Sequence, residues 1–275
     1  MRACALLLLC ATGICGAQTP ADSIRWGFGA AAGQLKFTDG SRESALGLTI
    51  AARAWNWLDL SVNPTFAWMQ FAAVQGGSPA QSRARNVSGL TDLPVSVGIS
   101  HGVPGPWSPT IALALGITLP TGDSATVGTH ETGLGVSLGA GFAPQDNFAF
   151  SVAAGRSISA GYSAGLGSSS TTSLALSGQV TAGTVGIGLG LSGDVGAVPA
   201  GFESARSIAA GMAVPLFGGV SLNLDGSAGL TRGSPTWAYA IGLGTRAATV
   251  APYQRLRQAF GLGTKINAKP KTKAP

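Results

Sequence analysis

The feature that most constrains the fold of this chain is an alternation of aliphatic residues with small or polar residues, with a period of two. In TIALALGITL at 110–119, the aliphatic residues Ile111, Leu113, Leu115 and Ile117 alternate with Ala112, Ala114, Gly116 and Thr118. A strand with this pattern has one apolar face and one small or polar face. A helix needs a period of about 3.6 residues, which the body of the chain does not show. The pattern therefore predicts an all-β fold.

The same period divides the body of the chain into about twelve segments, each long enough for one tilted membrane strand of ~9–11 residues. The candidate strands are 23–37, 44–55, 58–71, 87–100, 110–119, 131–142, 148–157, 172–182, 185–193, 205–216, 220–230 and 237–247.

The lengths of the connections distinguish a membrane barrel from a soluble β-sandwich, which shows the same alternation. The connections after even-numbered candidate strands are short or modest, as at 56–57, 183–184 and 217–219. Those after strands 3, 5, 7 and 9 are long and polar or rich in glycine. Outer-membrane barrels have short periplasmic turns and long external loops, so short and long connections alternate along the chain. Nothing in a β-sandwich produces that alternation. We therefore predict a single-chain transmembrane antiparallel β-barrel of about 12 strands over 18–247.

The first 17 residues have the pattern of a secretory signal peptide: one arginine, an apolar block and small residues before the expected cleavage site after Ala17. A lipoprotein signal that uses Cys10 or Cys15 is the alternative. The three cysteines of the chain all lie in this segment, so we expect the mature protein to contain neither thiol nor disulfide. This predicts export to the outer membrane of a Gram-negative cell envelope.

The basic residues are concentrated at the carboxyl end of the chain. Six of the 17 lysines and arginines lie after Ala247 with no acidic residue among them, and one lies in the leader. The body is therefore nearly neutral, and no nucleic-acid surface is indicated. We predict that 248–275 is a basic periplasmic tail that is disordered. The alternative is a short amphipathic helix over YQRLRQAF on anionic headgroups.

Two short motifs resemble those of a known family. SGLTDLPVSVGIS begins at Ser88, and ITLPTGD ends at Asp123. They resemble the Ser-Gly-Leu-Gly-Asp-Leu and Leu-Pro-Thr-Gly-Asp stretches of the outer-membrane transporters named after the meta-pathway of phenol degradation, with Thr91 in place of a glycine. The resemblance implies a single-chain barrel that passes small, often apolar, solutes. The sequence places Pro120 at a strand end because proline lacks a ladder donor.

If the aliphatic face contacts lipid, the other face lines the interior, and strand phase predicts which polar residues lie there. The predicted interior residues are Arg25, Arg53, Asp59, Asn63, Asp92, Gln179, Asn223, Asp225 and Arg246. The predicted external-loop residues are Arg83, Arg85, Asp123, His130 and Glu131. The rest of the inward face is mainly Gly, Ala, Ser and Thr, and its few charges argue against strong ion selectivity. The alternative is that the inward charges pair across the interior and plug it.

We predict no enzymatic activity, no metal and no cofactor. His101 and His130 are the only histidines and are expected on opposite sides of the membrane. A Ser-His-Asp site built on His130 and Asp123 is possible in principle, but no spacing favours it.

The sequence thus predicts a passive channel for small neutral or apolar solutes, with outer-membrane lipid and an unidentified solute as partners. The alternative is a structural or adhesive barrel that acts through its external loops. The oligomeric state is not determined by the sequence.

Overall fold

The computed structural model describes residues 24–55, 57–72, 85–105, 107–122, 132–160, 169–196 and 204–245. Every regular element within these ranges is a β-strand. The strands are β1 (Arg25–Lys36), β2 (Arg42–Ala54), β3 (Leu58–Val62), β4 (Thr65–Phe71), β5 (Arg85–Leu90), β6 (Leu93–Gly102), β7 (Thr110–Leu119), β8 (Thr132–Gln145), β9 (Phe148–Ala160), β10 (Ser169–Ala182), β11 (Val185–Val195), β12 (Arg206–Pro215), β13 (Val220–Gly229) and β14 (Trp237–Thr245). Within the described part of the chain, no helix is long and apolar enough to cross a membrane.

The strands form one closed antiparallel barrel. From β6 to β14, each strand pairs with the next strand in the chain, and β1 pairs with both β2 and β14, which closes the sheet. β3 and β4 both pair with β2 and together make one span, and β5 and β6 together make the next. The fourteen strands therefore form twelve spans. The predicted all-β single-chain barrel of about 12 strands is confirmed.

Two spans are interrupted where the sequence predicted continuous strands. The first interruption, at 63–64, contains Pro64, which has no N–H to donate to the ladder. Its carbonyl oxygen still accepts a hydrogen bond from the Leu48 N–H at 2.9 Å, and the Asn63 N–H donates to the Pro94 carbonyl at 3.1 Å. The second interruption, at 91–92, is bridged by the Thr91 N–H, which donates to the Thr65 carbonyl at 2.9 Å. The breaks lie side by side without opening the barrel.

Large aliphatic and aromatic side chains cover the outside of the barrel. On β7, Ile111, Leu113 and Leu115 are exposed, whereas Ala112 and Ala114 between them are buried. The same alternation is found on β2, β8 and β11, so the surface that a soluble protein would make polar is apolar there. A wall of this kind matches contact with lipid hydrocarbon rather than water. A small apolar cluster of Ala31, Ala45, Ala67 and Met69 lies on the inner side of β1, β2 and β4.

The two ends of the barrel differ in their connections. At the end where β1 begins and β14 finishes, tight turns join the spans, as at 183–184 and 217–219. Gly183, Gly218 and Gly219 have φ of 62°, 59° and 75°, which glycine adopts without the strain that a Cβ would cause. The opposite end carries the connections at 37–41, 72–84, 120–131, 161–168, 196–205 and 230–236. The structure thus has the parity of short and long connections that the sequence predicted.

The predicted strand bounds differ from the observed ones mainly at the end with long connections. β9 and β10 extend further than predicted, and Arg85 is the first residue of β5, opposite Phe71, rather than part of the preceding connection. The leader at 1–17 and the tail at 248–275 lie outside the described residues. Their assignment stays a prediction.

Candidate functional site

The interior of the barrel is the candidate site, and its wall is made largely of small side chains. Around the closure between β1, β2 and β14, the small inward residues include Gly27, Gly29, Ala31, Gly33, Ala45, Gly47, Ala240, Gly242 and Gly244. These residues alternate with outward aliphatics such as Leu46, Leu48 and Ile241. The alternation therefore produces both surfaces, an apolar outer face and an inner face of small side chains.

An ion pair lies inside the barrel at the end with short turns. Register places Arg53 of β2 directly opposite Arg25 of β1 and opposite Asp59 of β3. The Arg53 Nε lies 3.9 Å from the Asp59 Oδ1, and both side chains are partly buried. The structure thus brings three of the predicted interior residues into one row. The pair places opposite charges side by side, so this row carries less net charge into the interior than its residues would separately.

A chain of hydrogen bonds between polar side chains continues along the same wall. The Thr49 Oγ1 donates to the Asn63 Oδ1 at 2.7 Å, and the Asn63 Nδ2 lies 3.5 Å from the Ser61 Oγ. The hydroxyls of Ser61 and Ser96 are 2.7 Å apart. Asn63 occupies the interruption beside Pro64, so the break in the strand places an amide where a regular strand would continue. These contacts join the Asn63 side chain to Thr49 and Ser61.

Asp92 joins the two motif segments of the sequence. Its side chain is buried, and its Oδ1 accepts a hydrogen bond from the Gly122 N–H at 3.0 Å. Gly122 belongs to the Pro-Thr-Gly-Asp stretch that follows β7. The acidic residue of the first motif therefore fixes the beginning of the connection that contains the second. This contact gives both motifs a structural role at one edge of the interior.

Replacing Asp92 with alanine is expected to lower the free energy of unfolding by about 2 kcal/mol, because the hydrogen bond from the Gly122 N–H to this buried carboxylate is lost. The measurement is the urea midpoint of the refolded barrel in detergent micelles. The matched control is Asp92→Asn, which keeps an oxygen at Oδ1 and should lose less than half as much. Equal midpoints for D92A and the unchanged chain would show that this contact does not hold the connection.

Three further predicted interior residues, Asn223, Asp225 and Gln179, lie on strands away from this wall. Asn223 and Asp225 of β13 are buried, and the Asn223 Nδ2 donates to the Ser221 carbonyl at 3.3 Å. Their neighbours on β12 and β14 are small, which leaves room for the two side chains. Gln179 of β10 is half-buried, and its side-chain amide lies against Gly186 of β11. A Cβ on Gly186 would lie 3.2 Å from the Gln179 Nε2.

Several predicted residues cannot be assigned a structural place. Arg246, Arg83, Asp123, His130 and Glu131 lie outside the described residues. His101 lies on the outer face of β6, next to the turn that precedes β7, and is exposed. Within the described ranges, no three His, Cys, Asp or Glu side chains are grouped in a way that could hold a metal ion.

Sequence reasoning missed Glu43. This side chain points inward from β2 between Leu35 of β1 and Met69 of β4, and is 2% exposed. Its Oε2 has no hydrogen-bond partner among the described residues. The predicted strand starts at Ser44, two residues later than β2 does, although the alternation that includes Thr49 and Arg53 continues back to Glu43. An inward pair of hydroxyls, Ser151 and Ser177 at 2.7 Å, was also missed because serine alone carries no signal.

Comparison with known proteins supports the fold. No protein-family model matches the chain, and no curated protein matches it. An outer membrane channel from Pseudomonas putida F1 is 11% identical, with a TM-score of 0.59 over 84% of this chain and 99% of that chain. The KdgM porin in complex with disordered oligogalacturonate is 11% identical, with a TM-score of 0.53 over 80% of this chain and 98% of that one. The NanC porin is 9% identical, with a TM-score of 0.51 over 78% and 98% of the two chains.

At these identities the likeness concerns the fold alone: the chain has the architecture of outer-membrane β-barrels. Membership of the transporter family named after the meta-pathway of phenol degradation stays a prediction that rests on the two motifs.

Proposed function

We propose that the chain is an outer-membrane β-barrel that passes small neutral or apolar solutes passively through its interior. The observation that carries this proposal is the two-sided wall. Aliphatic side chains such as Leu115 and Leu189 are exposed on the outside, while the inside is lined mainly by Gly, Ala, Ser and Thr. A sheet closed with its apolar face outward is stable only where that face contacts lipid.

The orientation of the barrel follows from its connections. The tight turns lie at the same end as the start of β1 and the finish of β14, which is the periplasmic end in outer-membrane barrels. The long connections then face the outside of the cell. The signal peptide expected at 1–17 supports the same location, since export precedes insertion into the outer membrane.

The charges of the described interior favour solutes without strong charge. Arg53 is paired with Asp59, and Asp92 is bound to the backbone of Gly122. The part of the interior that the structure describes has no ring of charges of one sign, the arrangement by which pores select ions. Small and apolar linings such as Ala31 and Ala45 suit neutral or apolar solutes. Fold neighbours named as porins and as a channel support the same class of function.

A solute path through the interior predicts that a blocking group on the inner wall stops flux. Gly135 points inward from β8, opposite Gly116, and a Cβ there would meet only the Arg156 carbonyl at 4.0 Å. The chain from residue 18 onward has no cysteine, so Gly135→Cys would be the only thiol. Labelling it with a bulky, water-soluble thiol reagent should reduce solute uptake into proteoliposomes to less than about half of the unlabelled rate.

The matched control is Leu134→Cys. Leu134 is the adjacent residue of β8 and is exposed on the outer face, where lipid shields it from a water-soluble reagent. Its flux should not change. If Gly135→Cys reacts and the flux stays unchanged, solutes do not cross through the interior. Liposomes that contain the folded barrel but remain sealed to neutral solutes of all sizes would also overturn the proposal.

A structural or adhesive barrel without a through-path is the second candidate, and one observation favours it. The inward side chains of Ala67, Ser151 and Asn223 are fully buried. The interior at these levels is therefore not a wide aqueous bore. A narrow path and a filled interior both produce such burial, and the flux measurement distinguishes the two functions.

A further inference from the structure

A row of four polar side chains and one tryptophan crosses five neighbouring strands on the outer face of the barrel, at the end with long connections. Lys36 of β1 lies opposite both Trp237 of β14 and Arg42 of β2. Arg42 lies opposite Gln70 of β4, which lies opposite Asn86 of β5. Directly opposed side chains in a sheet are ~5 Å apart at their Cβ atoms, so these five form one continuous surface, here called the basic row.

The basic row lies at the edge of the apolar band that is nearest the long connections. Each step of two residues along a strand moves a side chain on the same face by about 7 Å. The next row towards the barrel centre mixes aromatic and polar side chains: Tyr239, Gln34, Ser44, Trp68 and Ser88. The row after that is apolar: Ile241, Ala32, Leu46, Phe66 and Leu90. This sequence of cations, aromatic residues and aliphatics is the one expected across a headgroup region.

Among the residues that the structure describes, no acidic side chain neutralises the two cations of the row. Neither Lys36 nor Arg42 is part of an ion pair with a described residue. The carboxylate of Asp39 in the adjoining turn instead accepts the N–H and the hydroxyl of Ser41, at 2.8 and 2.9 Å. Glu43, next to Arg42 in the chain, faces the interior. Like charges directly opposite each other in a sheet are destabilising, so this arrangement favours a bound anion.

A third cation lies beside the row. Arg232 is exposed in the connection at 230–236, and its carbonyl oxygen lies 3.5 Å from the Thr38 hydroxyl. The Thr236 N–H also donates to the Lys36 carbonyl at 2.7 Å, which holds this connection against the end of β1. Three basic residues from two adjacent hairpins therefore lie on one side of the barrel end.

We propose that the basic row binds the phosphate groups of an anionic lipid in the outer leaflet. This inference rests on the proposed outer-membrane location. A guanidinium and an ammonium side by side match the charge and the oxygens of phosphate, and the amides of Gln70 and Asn86 can donate to further oxygens. The acyl chains of the same lipid would lie on the apolar rows below, beside Trp68. A soluble anion would gain only the exposed charges, which salt screens, whereas a lipid also gains the apolar contact.

The test uses the folded chain in nanodiscs of phosphatidylcholine with a small fraction of bisphosphorylated lipid A, and measures the lipid A retained by each barrel. We expect Lys36→Gln/Arg42→Gln to weaken retention about thirtyfold, since each basic residue near an anionic surface contributes roughly a fivefold factor. The charge-preserving variant Lys36→Arg/Arg42→Lys should retain lipid A within about threefold of the unchanged chain. Arg25→Gln, which removes a charge from β1 at the opposite end, should have no effect.

Two further arms identify the source of the phosphate. Lipid A with one phosphate should be retained more weakly than the bisphosphorylated form, and 10 mM inorganic phosphate, roughly a tenth of physiological ionic strength, should not displace either. Full displacement by inorganic phosphate, or equal retention by the unchanged chain and Lys36→Gln/Arg42→Gln, would overturn the proposal. Heat-modifiable gel migration checks that each variant is folded. Because flux is measured in phosphatidylcholine without lipid A, a loss of the channel function and a loss of lipid binding are separate results.

Discussion

Replacing Leu48 with arginine is expected to lower the free energy of unfolding by about 3 kcal/mol when the barrel is folded into phosphatidylcholine vesicles. Leu48 is the middle residue of β2 and is 50% exposed on the outer face. If this face lies at the centre of the bilayer, the new guanidinium has to leave water or deform the lipid around it. On a surface in contact with water, the same change would alter stability by no more than about 0.5 kcal/mol. Urea titration of folding, followed by tryptophan fluorescence, gives the value.

The control for Leu48→Arg is His101→Arg, on the same outer face but near the short-turn end of β6. His101 is exposed and opposite Ile111, at the level where the apolar band ends. Charged residues near the interface of a barrel cost only about 0–1 kcal/mol, so this variant should fold almost normally. If the two variants lose equal stability, depth in a bilayer does not determine the cost. The membrane assignment, and the channel proposal with it, would then be wrong.

The fold could be predicted from the sequence because each strand needs large apolar residues on its outer face and small or polar residues on its inner face. In β7 the alternation of Ile, Leu and Ala is complete, and the predicted bounds are the observed ones, Thr110–Leu119. The interruption at Pro64 was not predicted, although the proline was visible. Whether a proline ends a strand depends on what its neighbours offer, and here the Asn63 N–H finds the Pro94 carbonyl on another span. Such hydrogen-bond partners depend on the register between neighbouring strands, and the sequence of one strand does not show that register.

Strand phase was enough to propose which polar residues face inward, but not which of them meet. Arg53 and Asp59 are six positions apart, and their contact depends on the turn between β2 and β3. The hydrogen bond from Gly122 to Asp92 joins residues 30 positions apart, and both motifs were recognised without any sign that they touch. Glu43 was missed because it lies at the start of a strand, where alternation has too few residues to set a boundary.

Gly229→Ala is expected to lower the free energy of unfolding by about 3 kcal/mol, through overpacking and the loss of hydrogen bonds. Gly229 is the last residue of β13, and a Cβ there would collide with the carbonyl oxygen of Pro235 and lie 2.8 Å from the Ser234 Cβ. Ser234 is buried, its hydroxyl donates to the Arg206 carbonyl, and it accepts the Arg206 N–H at 2.6 Å. Because backbone atoms are in the way, the connection at 230–236 has to move and release Arg206. Urea unfolding in detergent micelles measures the loss.

The matched control for Gly229→Ala is Gly226→Ala, three residues earlier on the same strand. A Cβ on Gly226 would lie 3.8 Å from the Ala238 carbonyl, which is ordinary contact, so its stability should change by less than about 1 kcal/mol. The difference between the two variants therefore isolates the packing of the connection over the end of β13. Arg232 lies in that connection, so Gly229→Ala should also weaken lipid A retention, whereas Gly226→Ala should not. Equal stability of the two variants would mean that the connection does not pack over Gly229 in the folded protein.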